Sequence, residues 1–166
     1  NCRSIYENCD ASRGGAICNY GTTQLLGGSI TDGNATVNGG AVYNGGTLII
    51  NGTKISGCSA GVLGGSIYNC ANVTLTSGEI NGGHAATSGN IYNDKTDKAN
   101  GVFVQNGGTV TGGNSTGEGG NIYNKGTYEQ NTGSLVTLGV ATSNGGNIRN
   151  TGIYNQKAGT VSLGDS

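Results

Sequence analysis

Proline, methionine and tryptophan are missing from this chain altogether, and Phe103 is its one phenylalanine. With only 33% hydrophobic residues in 166, bulky apolar material is too scarce for one thick core. Charge is just as thin, with 8 lysines and arginines against 9 acids, a net −1. Binding to a phosphate backbone needs clustered cations, so nucleic acid is not an expected partner. No apolar run approaches the ~20 residues needed to span a bilayer, which leaves no membrane span in this segment. Disorder favours charge and proline, yet both are scarce here, while Ile, Val and Leu recur at regular intervals. Those absences leave a fold with a thin, distributed core. The chain opens on Asn1 rather than methionine, so it is expected to be a mature form or an excerpt of a longer chain.

What is present in quantity is glycine, 35 residues, and it comes in phrases. GGSIYN at Gly64 has near-copies at Gly14 (GGAICN), Gly39 (GGAVYN), Gly119 (GGNIYN) and Gly145 (GGNIRN), with a shortened GNIYN at Gly89. A second column of β-branched residues runs through Ile5, Ile30, Ile55, Ile80, Val110, Val136 and Val161, in steps of 25, 25, 25, 30, 26 and 25. About twelve residues after each comes an apolar residue (Ile17, Val42, Ile67, Ile91, Ile122, Ile148), and two places later an asparagine. A third β-like stretch, such as Thr47–Ile50 or Val102–Gln105, completes each unit. Three short strands per unit leave no room for a helix, and the leucine or helical periodicities of other repeat classes are missing. The fold expected is all-β: a right-handed parallel β-helix, or solenoid, of about six coils of ~25 residues with three short strands per coil. Residues 1–166 form one such domain or part of a longer one, with coil boundaries near Gly14, Gly39, Gly64, Gly89, Gly119 and Gly145.

In a stacked coil each residue lies ~4.8 Å from its equivalent one turn away, so every column must tolerate contact with itself. Ile and Val would fill the lumen. Asn19, Asn44, Asn69, Asn93, Asn124 and Asn150 would hydrogen-bond up and down a corner column. Tyr43, Tyr68, Tyr92 and Tyr123 fall between inward Ile or Val and corner Asn, so strand alternation points them outward.

The run GGAVYN-GGTLIINGTKISGCSAG, residues 39–61, resembles right-handed parallel β-helix surface proteins with pectate-lyase-like coils. The GGA(I/V) phrases at Gly14–Ile17 and Gly39–Val42 are also similar to the repeats of polymorphic outer membrane proteins. The resemblance covers nearly the whole chain, and it implies a passenger or adhesive stalk at a cell surface.

Candidates for chemistry are sparse. The nine acids (Glu7, Asp10, Asp32, Glu79, Asp94, Asp97, Glu118, Glu129, Asp165) are dispersed over coils, and no pair has the recurring placement that a glycosidase or lyase needs. His84, the one histidine, lies in a glycine-flanked stretch read as a corner and has no nucleophile partner in the pattern. The expectation is no enzyme, no cofactor and no metal. The extra residues near Asp94–Asn100 read as a solvated loop, with a weak calcium site at Asp94 and Asp97 as the sharper alternative. Five cysteines (Cys2, Cys9, Cys18, Cys58, Cys70) match no zinc spacing. A bridge such as Cys2–Cys9 or Cys9–Cys18 is open, the odd count leaves a thiol over, and an oxidising extracellular or cell-surface setting is favoured. Sequons stand at Asn34, Asn51, Asn72 and Asn114.

Three binding expectations remain. Residues 1–13 match only the tail of a coil and 145–166 fall short of one. Either flanking caps lie in missing sequence or coils of neighbouring molecules stack end to end as a fibre, and self-association through solenoid ends or faces is the expected partner mode. Outward neighbours of the anchor column, among them Thr31, Ser56, Asn81, Thr109, Thr111, Thr137, Thr160 and Ser162, form a hydroxyl-rich rank. It resembles the ice-binding faces of β-solenoid antifreeze proteins, although Lys54 and Glu79 interrupt it. The tyrosine column could instead stack on the sugar rings of a glycan. Structural or adhesive stalk, ice binder and glycan binder are the three functions to separate.

Overall fold

A computed structural model describes residues 12–166. It is all-β: parallel strands stack as a solenoid of about six turns, with no helix among the described residues. Three sheets wrap the lumen. The first has six strands, Ile17–Asn19, Val42–Asn44, Ile67–Asn69, Ile91–Asn93, Ile122–Asn124 and Ile148–Asn150, joined in chain order. The second is a ten-stranded sheet that holds both the Thr47–Ile50 stretch and the anchor stretch of every coil. In two coils these merge into single strands, Thr47–Ser56 and Asn72–Asn81, with a register break at Asn51–Thr53. There Gly52 takes φ +81°, and Thr53 turns inward to donate to the Gly27 carbonyl at 2.9 Å. The third sheet is built of two-residue strands, Asn34–Ala35, Ser59–Ala60, His84–Ala85, Asn114–Ser115 and Val140–Ala141. These pieces are too short for a strand pattern to announce, and they place His84 on an exposed strand rather than in a corner.

Register follows the repeat. Ile17, Val42, Ile67, Ile91, Ile122 and Ile148 stack one over another. The anchors do the same from Ile30 through Ile55, Ile80, Val110 and Val136 to Val161. A third inward column reads Thr23, Leu48, Val73, Phe103, Tyr128, Tyr154, and a fourth Leu25, Ile50, Leu75, Gln105, Gln130, Gln156. Each buried Ile or Leu contributes roughly 1.5–3 kcal/mol. The core is therefore a sum of small, repeated contributions along the axis.

The paired glycines are required for two different reasons. Gly64 sits at φ +63°, and a Cβ there would stand 2.3 Å from the Ile67 carbonyl oxygen. Gly65 has an ordinary φ, but its Cβ would meet the Gly89 carbonyl oxygen of the next coil at 2.2 Å. The first glycine turns the chain, and the second lets successive coils touch. The shortened phrase at Gly89 is explained in the same terms. Ser88 takes the turning position at φ +59°, and its hydroxyl donates at 2.5 Å to the Ile91 carbonyl, the oxygen equivalent to the one a Cβ crowds elsewhere.

The lumen changes character midway. From Asn90 onward the third letter of the phrase is asparagine, replacing Ala16, Ala41 and Ser66. Asn90 donates to the Asn121 side chain and Asn121 to that of Asn147, both at 2.7 Å. Over the same coils Leu75 gives way to Gln105 and Gln130, both fully buried, and the Tyr128 hydroxyl donates to Gln105 Oε1 at 2.7 Å. Neither network is apparent in the repeat as read from the anchors.

Candidate interaction surfaces

The asparagine column is a continuous ladder. Asn19, Asn44, Asn69, Asn93 and Asn124 each donate through Nδ2 to the Oδ1 of the next asparagine, at 2.7, 2.8, 2.7, 2.7 and 2.7 Å, ending on Asn150. Each rung also ties down its corner. Asn69 Nδ2 reaches the carbonyls of Ala71 and Val102, and its Oδ1 accepts from the Ala71 N–H. Replacing Asn69 with leucine, similar in size, strands those partners and is expected to cost about 3 kcal/mol, since buried polar groups lose both water and partner. A urea midpoint unchanged in that variant would show the ladder to be ornamental.

The hydroxyl rank is brought together as two adjacent columns on the ten-stranded sheet. Thr31, Ser56, Asn81, Thr111, Thr137 and Ser162 form one, and Ser29, Lys54, Glu79, Thr109, Leu135 and Thr160 the other. Some of its polar groups bond to one another. Lys54 lies 3.5 Å from Glu79, Asn81 donates to Glu79 at 2.6 Å, and Ser162 donates to Thr137 at 3.2 Å. Thr137 is buried, and only one coil, through Thr109 and Thr111, presents threonine in both columns.

The tyrosines do not stand free as an outward column should. Their rings stack on one another, Tyr43 on Tyr68, Tyr68 on Tyr92 and Tyr92 on Tyr123, with centroids 5.0, 5.8 and 5.2 Å apart and planes within 16° of parallel. The coil rise is close to the spacing of stacked rings, so the faces inside the stack are occupied by neighbouring rings. Tyr68 and Tyr92 are only 7% exposed. What remains for a sugar is ring edges, with Arg13 lying over Tyr43 and Lys125 over Tyr92 at 5.3 and 6.0 Å from the centroids.

The inserted loop bears on this column. Its neck closes with the Gly101 N–H donating to the Asp94 carbonyl at 2.7 Å, and Lys95 pairs antiparallel with Asn100. The Asp94 carboxylate, buried, accepts from the Tyr68 hydroxyl at 2.5 Å and the Lys95 N–H at 2.8 Å, and pairs with Lys125 at 3.2 Å. Asp97 is exposed at the tip. The two carboxylates considered for calcium thus part company: Asp94 is spent on fastening the loop. Among the described residues no group of three His, Cys, Asp or Glu side chains could hold a metal ion. The Tyr68 and Tyr43 hydroxyls are pushed well above the usual phenol range, chiefly by burial, with Asp94 adding for Tyr68 and Cys70 for Tyr43.

Two surfaces escape a pattern-based reading. The outer face of the third sheet lines up Asn34, Ser59, His84, Asn114 and Val140, with no acid or lysine among them. It puts the sequon residues Asn34 and Asn114 in one column, while Asn51 and Asn72 are exposed elsewhere. In the corner column before it, Asp32, Gly57, Gly82 and Gly112 are followed by Leu138 and Leu163. Both leucines are in the left-handed region, φ +54° and +51°, and are 54% and 72% exposed. Cys58 and Cys70 are free thiols, each pushed up by burial, while the bridges considered at Cys2 and Cys9 lie outside the described residues. No helix of the described residues is long and apolar enough to cross a membrane. Comparison with family models, curated proteins and solved structures finds no match to this chain.

Proposed function

We propose that this chain is a non-enzymatic structural solenoid, a rigid stalk or adhesive segment that works outside the cell or at its surface. The observation that carries this reading is the asparagine ladder, five side-chain links that run without a break from Asn19 to Asn150. Such a ladder, added to stacked aromatics and a continuous apolar lumen, resists bending and shear between coils. A stalk needs that property, whereas a soluble binding module does not. The resemblance to right-handed β-helix surface proteins points the same way.

The ice-binding reading is the second, and the irregularity of the rank weighs against it, because Lys54, Glu79 and Leu135 interrupt it and only Thr109 and Thr111 present threonine in both columns of one coil. Glycan recognition comes third, because stacking leaves the tyrosine faces closed. Three measurements separate them. Immunolabelling of intact source cells is expected to reach the chain at the outer surface, purified protein to show no thermal hysteresis, and a glycan array to show no retention. Thermal hysteresis, retention on one sugar class, or turnover of a polysaccharide would replace the stalk with a different function.

A further inference from the structure

Asparagine followed directly by glycine recurs along the chain, at Asn38, Asn44, Asn51, Asn81, Asn100, Asn106 and Asn144. Such a pair can react with itself, because glycine has no side chain to hinder its own nitrogen as it nears the preceding amide. The glycine nitrogen gives its proton to solvent base and attacks the asparagine Cγ. A C–N bond forms, and Nδ2 takes up a proton and leaves as ammonia. Water then opens the cyclic imide at either carbonyl, which leaves aspartate or isoaspartate. The net change is amide plus water to carboxylic acid plus ammonia. Two conditions decide which pairs react: the glycine N–H must be free, and the amide must be within reach of water.

Four of the pairs are locked. The Gly39 N–H donates to the Leu63 carbonyl, Gly45 to that of Asn19, Gly82 to that of Thr111 and Gly101 to that of Asp94, at 3.0, 2.7, 3.1 and 2.7 Å. Asn44, the one ladder asparagine with glycine behind it, is also fully buried. Asn51 and Asn106 differ. Both are exposed. The Gly107 N–H donates to no described residue, and Gly52 is the extra residue at the register break, left out of the pairing between Thr47–Ser56 and Asn72–Asn81. At each site the amide oxygen already holds a donor from the next coil. Ser77 Oγ donates to Asn51 Oδ1 and Asn131 Nδ2 to Asn106 Oδ1, both at 2.8 Å. Negative charge gathers on that oxygen as the imide closes, and a donor already in place favours the step. Gly145 stands in the column of Gly39, where the N–H donates to the following coil, so Asn144 is not counted with these two.

We propose that the fold directs self-modification of this chain to Asn51 and Asn106, which convert to aspartate or isoaspartate with water as co-reactant and with Ser77 and Asn131 as donors to the reacting oxygen. Both sites lie on the outside, between the Thr47–Ile50 type of stretch and the anchor stretch of their coils, so the new carboxylates fall outside the lumen. The ladder is spared, because its other asparagines are followed by Tyr20, Cys70, Asp94, Lys125 and Thr151 rather than glycine. Exposure alone would give a different answer. Asn100 is exposed as well, but the N–H of its glycine is held at the neck of the inserted loop.

The test holds the full chain, expressed without glycosylation, in neutral buffer and samples it over weeks by peptide mapping, which reads the exchange of amide NH2 for OH at each site. Asn51 and Asn106 are expected to convert at least about fivefold faster than Asn38, Asn44, Asn81 and Asn100, the rate factor of the one hydrogen bond that must open first. In guanidinium chloride the rates should draw together, because the pairs then differ only in their neighbours. Ser77→Ala should slow Asn51 while Asn106, in the same chain, keeps its rate. Asn100 converting as fast as Asn106 in the folded chain would overturn the inference, as would no conversion at either site where the unfolded chain converts. So would a difference that persists in guanidinium chloride, which would put its cause in local sequence, or a ratio of Asn51 to Asn106 that Ser77→Ala leaves unchanged or raises.

Discussion

A chain carrying Gly120→Val is expected to lose more than about 4 kcal/mol, enough to unfold many domains of this size at room temperature. A Cβ on Gly120 would stand 2.0 Å from the Gly146 carbonyl oxygen, 2.4 Å from the Val140 N and 2.7 Å from the Gly139 carbonyl carbon. All three are backbone atoms, so none can swing aside as a flexible side chain would; the Val140 N–H is held by the Gly113 carbonyl and the Gly139 carbonyl by the Asp165 N–H. Relief would require two coils to separate, breaking the Asn121–Asn147 and Asn124–Asn150 links together. Gly21→Ala is the matched control, because a Cβ there meets nothing within 4 Å and its backbone is not left-handed. That change should stay within about 0.5 kcal/mol. Urea midpoints followed by circular dichroism distinguish them, and similar midpoints would mean that the coils are free to stand farther apart at this column.

Most of this architecture was legible because a solenoid makes its period visible. Steps near 25 in the Ile and Val columns translate directly into observed register, and an asparagine two places after each inward residue is the ladder itself. Where the chain departs from the period, the reading weakens for physical reasons. The tyrosines alternate outward as a strand demands, but alternation says nothing of the neighbour one coil away, and stacking closes their faces. Asp94 looks like a loop acid, and only the fold reveals that its carboxylate meets Tyr68 and Lys125, 26 and 31 residues distant in sequence. Two-residue strands such as His84–Ala85 carry no periodicity to detect. The glutamine column lay in plain view at Gln105, Gln130 and Gln156, spaced as the repeat requires. Polarity hides it, because glutamine is so seldom buried, whereas spacing alone marks it as an inward column.

Alkaline unfolding is the other large effect expected. Tyr128 is fully buried and Tyr68 and Tyr92 nearly so, and burial pushes all three phenols above their usual range, with the Asp94 carboxylate reinforcing the effect at Tyr68 and Tyr92. In the unfolded chain each would release its proton near pH ~10. Above that pH the unfolded state therefore binds fewer protons than the folded one, and stability falls as pH rises, by up to ~1.4 kcal/mol per pH unit for each group. Three such tyrosines together give a slope of about 4 kcal/mol per unit, which exhausts the stability of an ordinary domain within two to three pH units. The other raised groups share this sign. Cys58 and Cys70 are held protonated by burial, and Lys125 is raised by Asp94, so its contribution is intact below its unfolded value and is lost as pH climbs through the folded one. The expected record is phenolate absorbance at 295 nm that rises in one steep step between about pH 12 and 13, coincident with loss of the β-sheet dichroism. Gradual ionisation of all the tyrosines near pH ~10 with the sheet signal intact would mean that the rings are wet, and that the stack and the Tyr128–Gln105 bond do not persist in solution.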